Sequence, residues 1–159
     1  MTTPDAPETP RAGAQATTDR KPPRFNHLGI SMPADALDEQ GRRDIISFYG
    51  DVFGWQELPT ETLDRERLVL MAHRYDQFVF LIANDEPMRA ARLDHFGQSV
   101  ATLHEFTELY EKAKAYAAGD DRVDLIDPTS EDHPGLTLHS WYVGYLLPVM
   151  VETQYWEWT

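Results

Sequence analysis

The chain has 159 residues, 42% hydrophobic and 11% aromatic, enough for one domain or two half-domains around a shared core. Fourteen basic against twenty-seven acidic side chains give a formal charge of −13, which argues against nucleic acid or a membrane as partner. There are no cysteines, so disulfides and thiolate metal sites are excluded and a metal would have to rest on His, Asp or Glu.

Residues 1–23 are rich in Pro, Thr and Ala and carry no apolar core segment. They are expected to form a disordered leader, not a secretory signal. No apolar run approaches the roughly 20 residues that span a bilayer, so a cytoplasmic protein is expected. The domain proper is expected over 24–159.

Phe25 to Met32 reads as a strand closed by Pro33. In "RRDIISFYGDVFGW" the apolar residues Ile45, Ile46, Phe48, Tyr49, Val52 and Phe53 share one helical face, and Gly54 is placed to end the helix. "WQEL", "RLVLMAHR" and "QFVFLIAND" read as strands, the last two joined by a turn at Tyr75 and Asp76. The first half is thus β-α-β-β-β.

The second half repeats that order. "LDHFGQSVA" is a strand, and Thr102 with Glu105 forms a capping box for a helix whose stripe is Phe106, Leu109, Tyr110, Ala113 and Ala117, ending at Gly119. "RVDLID" is a strand and "PTSEDHPG" a loop; the long run from Leu136 to Trp158 should fold back at Gly144 or Pro148. "FNHLGIS" at 25–31 and "LDHFGQS" at 93–99 match position by position at an offset of 68 residues. Two repeats follow, about 24–87 and 92–158. One βαβββ unit leaves a sheet face unburied. Two would pair into an α+β fold, a cupped mixed sheet with helices outside, whose concavity is the natural ligand site.

"NHLGIS", the helix ending "FYGDVFGW", the second "DHFGQS" and a glutamate in the last strand together resemble the vicinal oxygen chelate superfamily. That group includes glyoxalase I, extradiol dioxygenases, fosfomycin-resistance enzymes and bleomycin-resistance proteins. The resemblance implies that His27, His95 and Glu152 hold one divalent metal, Fe(II) before Mn(II) or Zn(II). A fourth family position falls near Leu81, which cannot coordinate. Two imidazoles and a carboxylate leave open positions for oxygen and substrate, and a net +1 suits a dianionic, bidentate substrate. His139, Tyr142 and Tyr145 are the candidates for moving protons. "HSWYVGYLLPVMVE" echoes the extradiol order, although the turn glycine is missing and Pro148 stands closer to Glu152. The expected function is a metal-dependent enzyme on a small oxygenated substrate, dioxygenase-like ahead of lyase or isomerase. The alternative is a metal-free protein that sequesters a drug-like molecule. By resemblance a homodimer is expected, and the metal site can be completed within one chain or across two.

Overall fold

Pro33, Gly54 and the Tyr145–Val149 break punctuate the chain into elements of the lengths their periodicities suggest. In the computed structural model, which describes residues 23–159, the first half runs β1 (His27–Met32), a short 3-10 turn (Ala34–Leu37), α1 (Glu39–Phe53), β2 (Gln56–Glu57), β3 (Arg67–Met71) and β4 (Phe78–Ala83). The second runs β5 (His95–Val100), α2 (Leu103–Ala117), β6 (Asp124–His133), β7 (Leu136–Gly144) and β8 (Met150–Trp158). The leader expected over 1–23 lies outside the described residues except for Pro23.

Each half makes one four-stranded sheet, ordered β1-β4-β3-β2 in the first and β5-β8-β7-β6 in the second. In both, the first strand pairs parallel with the last, and the remaining pairs are antiparallel. The duplicated order in space matches the duplicated sequence. The fold is α+β, built of two βαβββ repeats.

Local chemistry explains the helix limits. The Asp38 carboxylate accepts the Gly41 N–H at 2.9 Å to cap α1, and Gly54 closes it in the left-handed region at φ 73°. The capping box at α2 forms in full, with Thr102 and Glu105 satisfying each other's backbone amides. One expectation fails here. "PTSEDH" is not a loop but the outer part of β6, which pairs with β7 as far as His133–Leu136 across a bulge between Ile126 and Thr129. Pro128 sits at that bulge on the sheet's edge strand, where a missing N–H costs no ladder bond.

The two helices pack against each other, and both sheets contribute one face to a single core around them. Leu28, Ile30, Val79 and Leu81 point into that core from the first sheet; Phe96, Trp141, Val143 and Val151 do so from the second. The aromatics of α1, with Trp55 just beyond its end, join the halves. Phe48 stacks on Tyr145 at 4.4 Å, Phe53 on Trp141 at 5.9 Å and Trp55 on Phe96 at 6.2 Å. The Tyr49 hydroxyl donates to the Tyr145 carbonyl at 3.0 Å. Strand alternation then sends the opposite face of each sheet, the one bearing His27 or His95, away from the core. Among the described residues no helix is long and apolar enough to cross a membrane.

A polar clamp lies beside this aromatic seam. Arg122 donates to Asp44 on α1 at 2.7 Å, to Asp120 at 2.6 Å and to the Tyr145 hydroxyl at 2.7 Å. The Arg122 guanidinium holds the Asp120 carboxyl well below the usual carboxylate range. A carboxyl with a lowered folded-state pKa stabilises the protein above its unfolded value of about 3.9, and that contribution fades as pH falls through and below it. Arg122→Ala should therefore lower Tm by a constant margin between about pH 5 and 8. The margin should narrow below about pH 4 as Asp120 protonates in the unfolded chain. A margin that grows on acidification would contradict this account of the clamp.

Candidate metal centre

Register decides which side chains can meet. In the parallel pair β5–β8, Gly97 lies opposite Glu152 and His95 opposite Met150. In the antiparallel pair β7–β8, Tyr142 lies opposite Glu152. His95, Glu152 and Tyr142 consequently share the face turned away from α2. The His95 Nε2 stands 3.4 Å from Glu152 Oε2. A Cβ added at Gly97 would come within 3.4 Å of that same oxygen, so the glycine keeps the space beside the carboxylate clear.

The hydrogen bonds fix the chemistry of both groups. His95 Nδ1 lies 2.8 Å from the Leu93 carbonyl, an acceptor only, so Nδ1 carries the proton. In the neutral ring Nε2 is then a lone pair aimed at a carboxylate oxygen. Two acceptors facing each other at that distance need a proton or a cation between them. Glu152 is buried at 6% exposure. It accepts from the Tyr142 hydroxyl at 2.7 Å on Oε1 and from the Gln154 amide at 2.9 Å on Oε2. Among the described residues no Lys or Arg pairs with it. Burial first, and then the bond to Glu152, raise the Tyr142 phenol, which keeps it a proton donor. The donor set fits a divalent ion. Its imidazole is already turned by an outer hydrogen bond, and its carboxylate has a lone pair to spare.

His27 has the same preparation on the other sheet. Its Nδ1 sits 3.0 Å from Asn26 Oδ1, and its ring lies flat on Phe78 at 5.0 Å. The face around it is largely apolar, with Val69, Met71, Phe80 and Ile82 in register beside Phe78, and Arg67 and Ser31 flank Ile82 at its far end. His27 does not join His95 and Glu152 within the chain, because the two ligand faces turn away from a common core. Among the described residues no cluster of three His, Cys, Asp or Glu is assembled. Two of the three expected ligands converge and the third faces elsewhere.

Three further expectations need correction. His139 lies on the α2 side of β7, where its ring stacks on Tyr155 at 5.6 Å and bonds Ser130 and Glu157. Tyr145 lies past the end of β7 in the seam between repeats, bonded to Asp120 at 2.9 Å. Neither reaches the Glu152 face, so of the three proton-handling candidates only Tyr142 is at the site. The fourth family position is occupied by Phe80, not Leu81. Phe80 lies opposite Gly29 as Glu152 lies opposite Gly97, while Leu81 points into the core. The substitution is still to a side chain that cannot coordinate. Strand parity already puts Gln154, two residues after Glu152, on the same face, but Gln154 was not among the expected site residues. The hollows lined by Ala34, Ala83, Asn84 and Asp85, and by Asp38–Arg43 with Asp64 and Arg65, include no ligand candidate.

No family model and no curated protein matches the chain. Solved structures do. A fosfomycin-resistance protein, FosX from Listeria monocytogenes, in a glutamate-to-glutamine mutant complexed with Mn(II) and 1S,2S-dihydroxypropylphosphonic acid, superposes with TM-score 0.57 at 12% identity over 82% of this chain and 87% of that one. A glyoxalase/bleomycin resistance protein/dioxygenase from Alicyclobacillus acidocaldarius gives 0.56 at 16% identity, covering 86% and 94%. An integron cassette protein from the Halifax Harbour sewage outfall metagenome gives 0.57 at 14%, covering 82% and 97%. Likeness at such identities is likeness of fold, so this chain shares the two-repeat α+β fold of these glyoxalase/bleomycin-resistance-type and fosfomycin-resistance structures.

Proposed function

We propose that the protein is a metal-dependent enzyme acting on a small substrate that chelates through two oxygens. Its ligands are His95 and Glu152 of one chain and His27 of a second copy in a cytoplasmic homodimer whose domain spans 24–159. The observation that carries this reading is the His95–Glu152 pair, an imidazole Nε2 and a buried carboxylate oxygen 3.4 Å apart with no Lys or Arg among the described residues paired to the carboxylate. The outward, apolar His27 face supports the second half. It exposes Ile82 at 41% beside half-buried Phe78 and Phe80, and a partner's polar ligand face would cover it. A two-fold pairing of this kind forms two equivalent sites at once.

Fe(II), Mn(II) and Zn(II) all accept this donor set. Bound there, the ion would serve as a Lewis acid that polarises the substrate's oxygens. The chain's own residues do the rest. Leu93 holds the His95 tautomer, Tyr142 holds Glu152 by one oxygen, and Phe78 and Phe80 offer a dry wall for the substrate's carbon skeleton. With His139 and Tyr145 turned away, no second histidine among the described residues stands beside the pair to relay protons for ring cleavage. The geometry therefore favours lyase- or isomerase-type polarisation over the dioxygenase chemistry that the sequence put first. The Mn(II) and vicinal diol held by the FosX relative support the same order.

His27→Ala, His95→Ala and Glu152→Ala should each weaken Mn(II) or Zn(II) binding by more than about 100-fold, beyond the ~10–100-fold typical of residues that only support a ligand. Mixing His27→Ala chains with Glu152→Ala chains should restore one intact site per mixed pair. Isothermal titration before and after mixing reads this directly, and a mixture that binds no better than its parts would sink the shared site. In the wild-type protein, free metal at 100 times Kd should add about 2.7 kcal/mol of stability, reversed by a chelator and absent in Glu152→Ala. Bound ligand retained in the double variant His27→Ala/Glu152→Ala would favour the metal-free sequestering alternative instead.

A further inference from the structure

We infer that Gln154 is a positioning residue for the Glu152 carboxylate and that Trp156 sets the direction in which the Gln154 amide acts. The inference rests on the metal-ligand reading above and adds two residues to it.

Glu152, Gln154 and Trp156 follow at period two on β8, all on the ligand face. The Trp156 indole N–H donates to Gln154 Oε1 at 3.2 Å, and Gln154 Nε2 donates to Glu152 Oε2 at 2.9 Å. An indole can only donate. It therefore claims the oxygen end of the amide and leaves the NH2 end for the carboxylate. The flipped amide would set oxygen against oxygen at Glu152 and donor against donor at Trp156. Tyr142 takes the other carboxylate oxygen at 2.7 Å. With one donor on each oxygen, the carboxylate's otherwise broad terminal torsion is fixed. Oε2 then stays turned toward His95 Nε2.

The first repeat supplies an internal comparison. Ser31 pairs with Ile82 where Ser99 pairs with Gln154, and Gly29 pairs with Phe80 where Gly97 pairs with Glu152. The polar relay thus stands only in the half that carries the carboxylate. Packing alone would favour an apolar residue in both.

The test uses Gln154→Leu, which keeps length and removes the donor, and Trp156→Phe, which keeps a ring and removes the indole N–H. Co(II) is titrated into each full-length variant, with its visible absorption spectrum as the second readout. Gln154→Leu should lose about tenfold in affinity, Trp156→Phe less, and both should shift the Co(II) bands because the carboxylate is free to turn. The double variant should be no weaker than Gln154→Leu alone, since Trp156 acts through Gln154. Trp156 is 42% exposed, so its replacement leaves folding intact and carries the test even if Gln154→Leu does not fold. If wild type binds Co(II) and His95→Ala abolishes it, yet both variants keep wild-type affinity and spectrum, the relay is overturned and the metal reading survives. Wild-type protein that takes up no Co(II), Mn(II) or Zn(II) overturns both.

Discussion

Glu152 is the constraint around which this half of the molecule is arranged. It stands between Val151 and Thr153, both fully buried, on a strand whose other face is core. A carboxylate in such a place must be hydrogen-bonded and charge-compensated, or it destabilises the fold. The hydrogen bonds are present, from Tyr142 and Gln154. The compensating charge is not supplied by Lys or Arg among the described residues. What faces the free edge of the carboxylate is the His95 Nε2 at 3.4 Å, a contact that needs a proton or a cation between the two atoms.

The second constraint is the aromatic seam. "FYGDVFGW" places Phe48, Tyr49, Phe53 and Trp55 between the two repeats, where they stack on Tyr145, Trp141 and Phe96 of the second half. Filling that space with rings commits both sheets to bury their helix-side faces together. The ligand-bearing faces are then left outward, each a half-cup. The stretch that most resembles the superfamily is thus the one that separates His27 from His95 within the chain. It holds the repeats so that His27 and His95 lie on faces turned away from one another.

Much of this was legible in the sequence because it is written locally. The heptad repeat, the capping box at Thr102 and the left-handed stop at Gly54 each depend on residues a few positions apart. So does the alternation that puts Ile30 in and His27 out. The misses are non-local. Leu81 was one residue off because nothing in "QFVFLIAND" marks where pairing with β1 begins, and a slip of one reverses the face. His139 was lost to the same parity ambiguity on β7. "PTSEDHPG" has a loop's composition, but β7 offers a long partner and Pro128 falls at a bulge, so pairing overrides composition. No local signal could report that the two histidine faces turn apart, because that follows from how the rings of α1 pack between the sheets.

The two repeats have diverged in one respect that bears on substrate. On matching strand positions the first carries Phe78, Phe80 and Ile82, and the second carries Met150, Glu152 and Gln154. Each half keeps its histidine and the glycine two residues on, so each still leaves room beside the imidazole. Only one half keeps a charge. In the proposed pairing the face of one copy that carries Phe78 and Phe80 would close over the Glu152 face of another, so that a single carboxylate would be offered to the ion. Phe80 would then stand as an apolar wall where the second half has its carboxylate. A substrate held there would be gripped at one end by charge and along its length by rings. Its selectivity would depend on the carbon skeleton that fits against Phe78 and Phe80 as much as on the pair of oxygens that chelates.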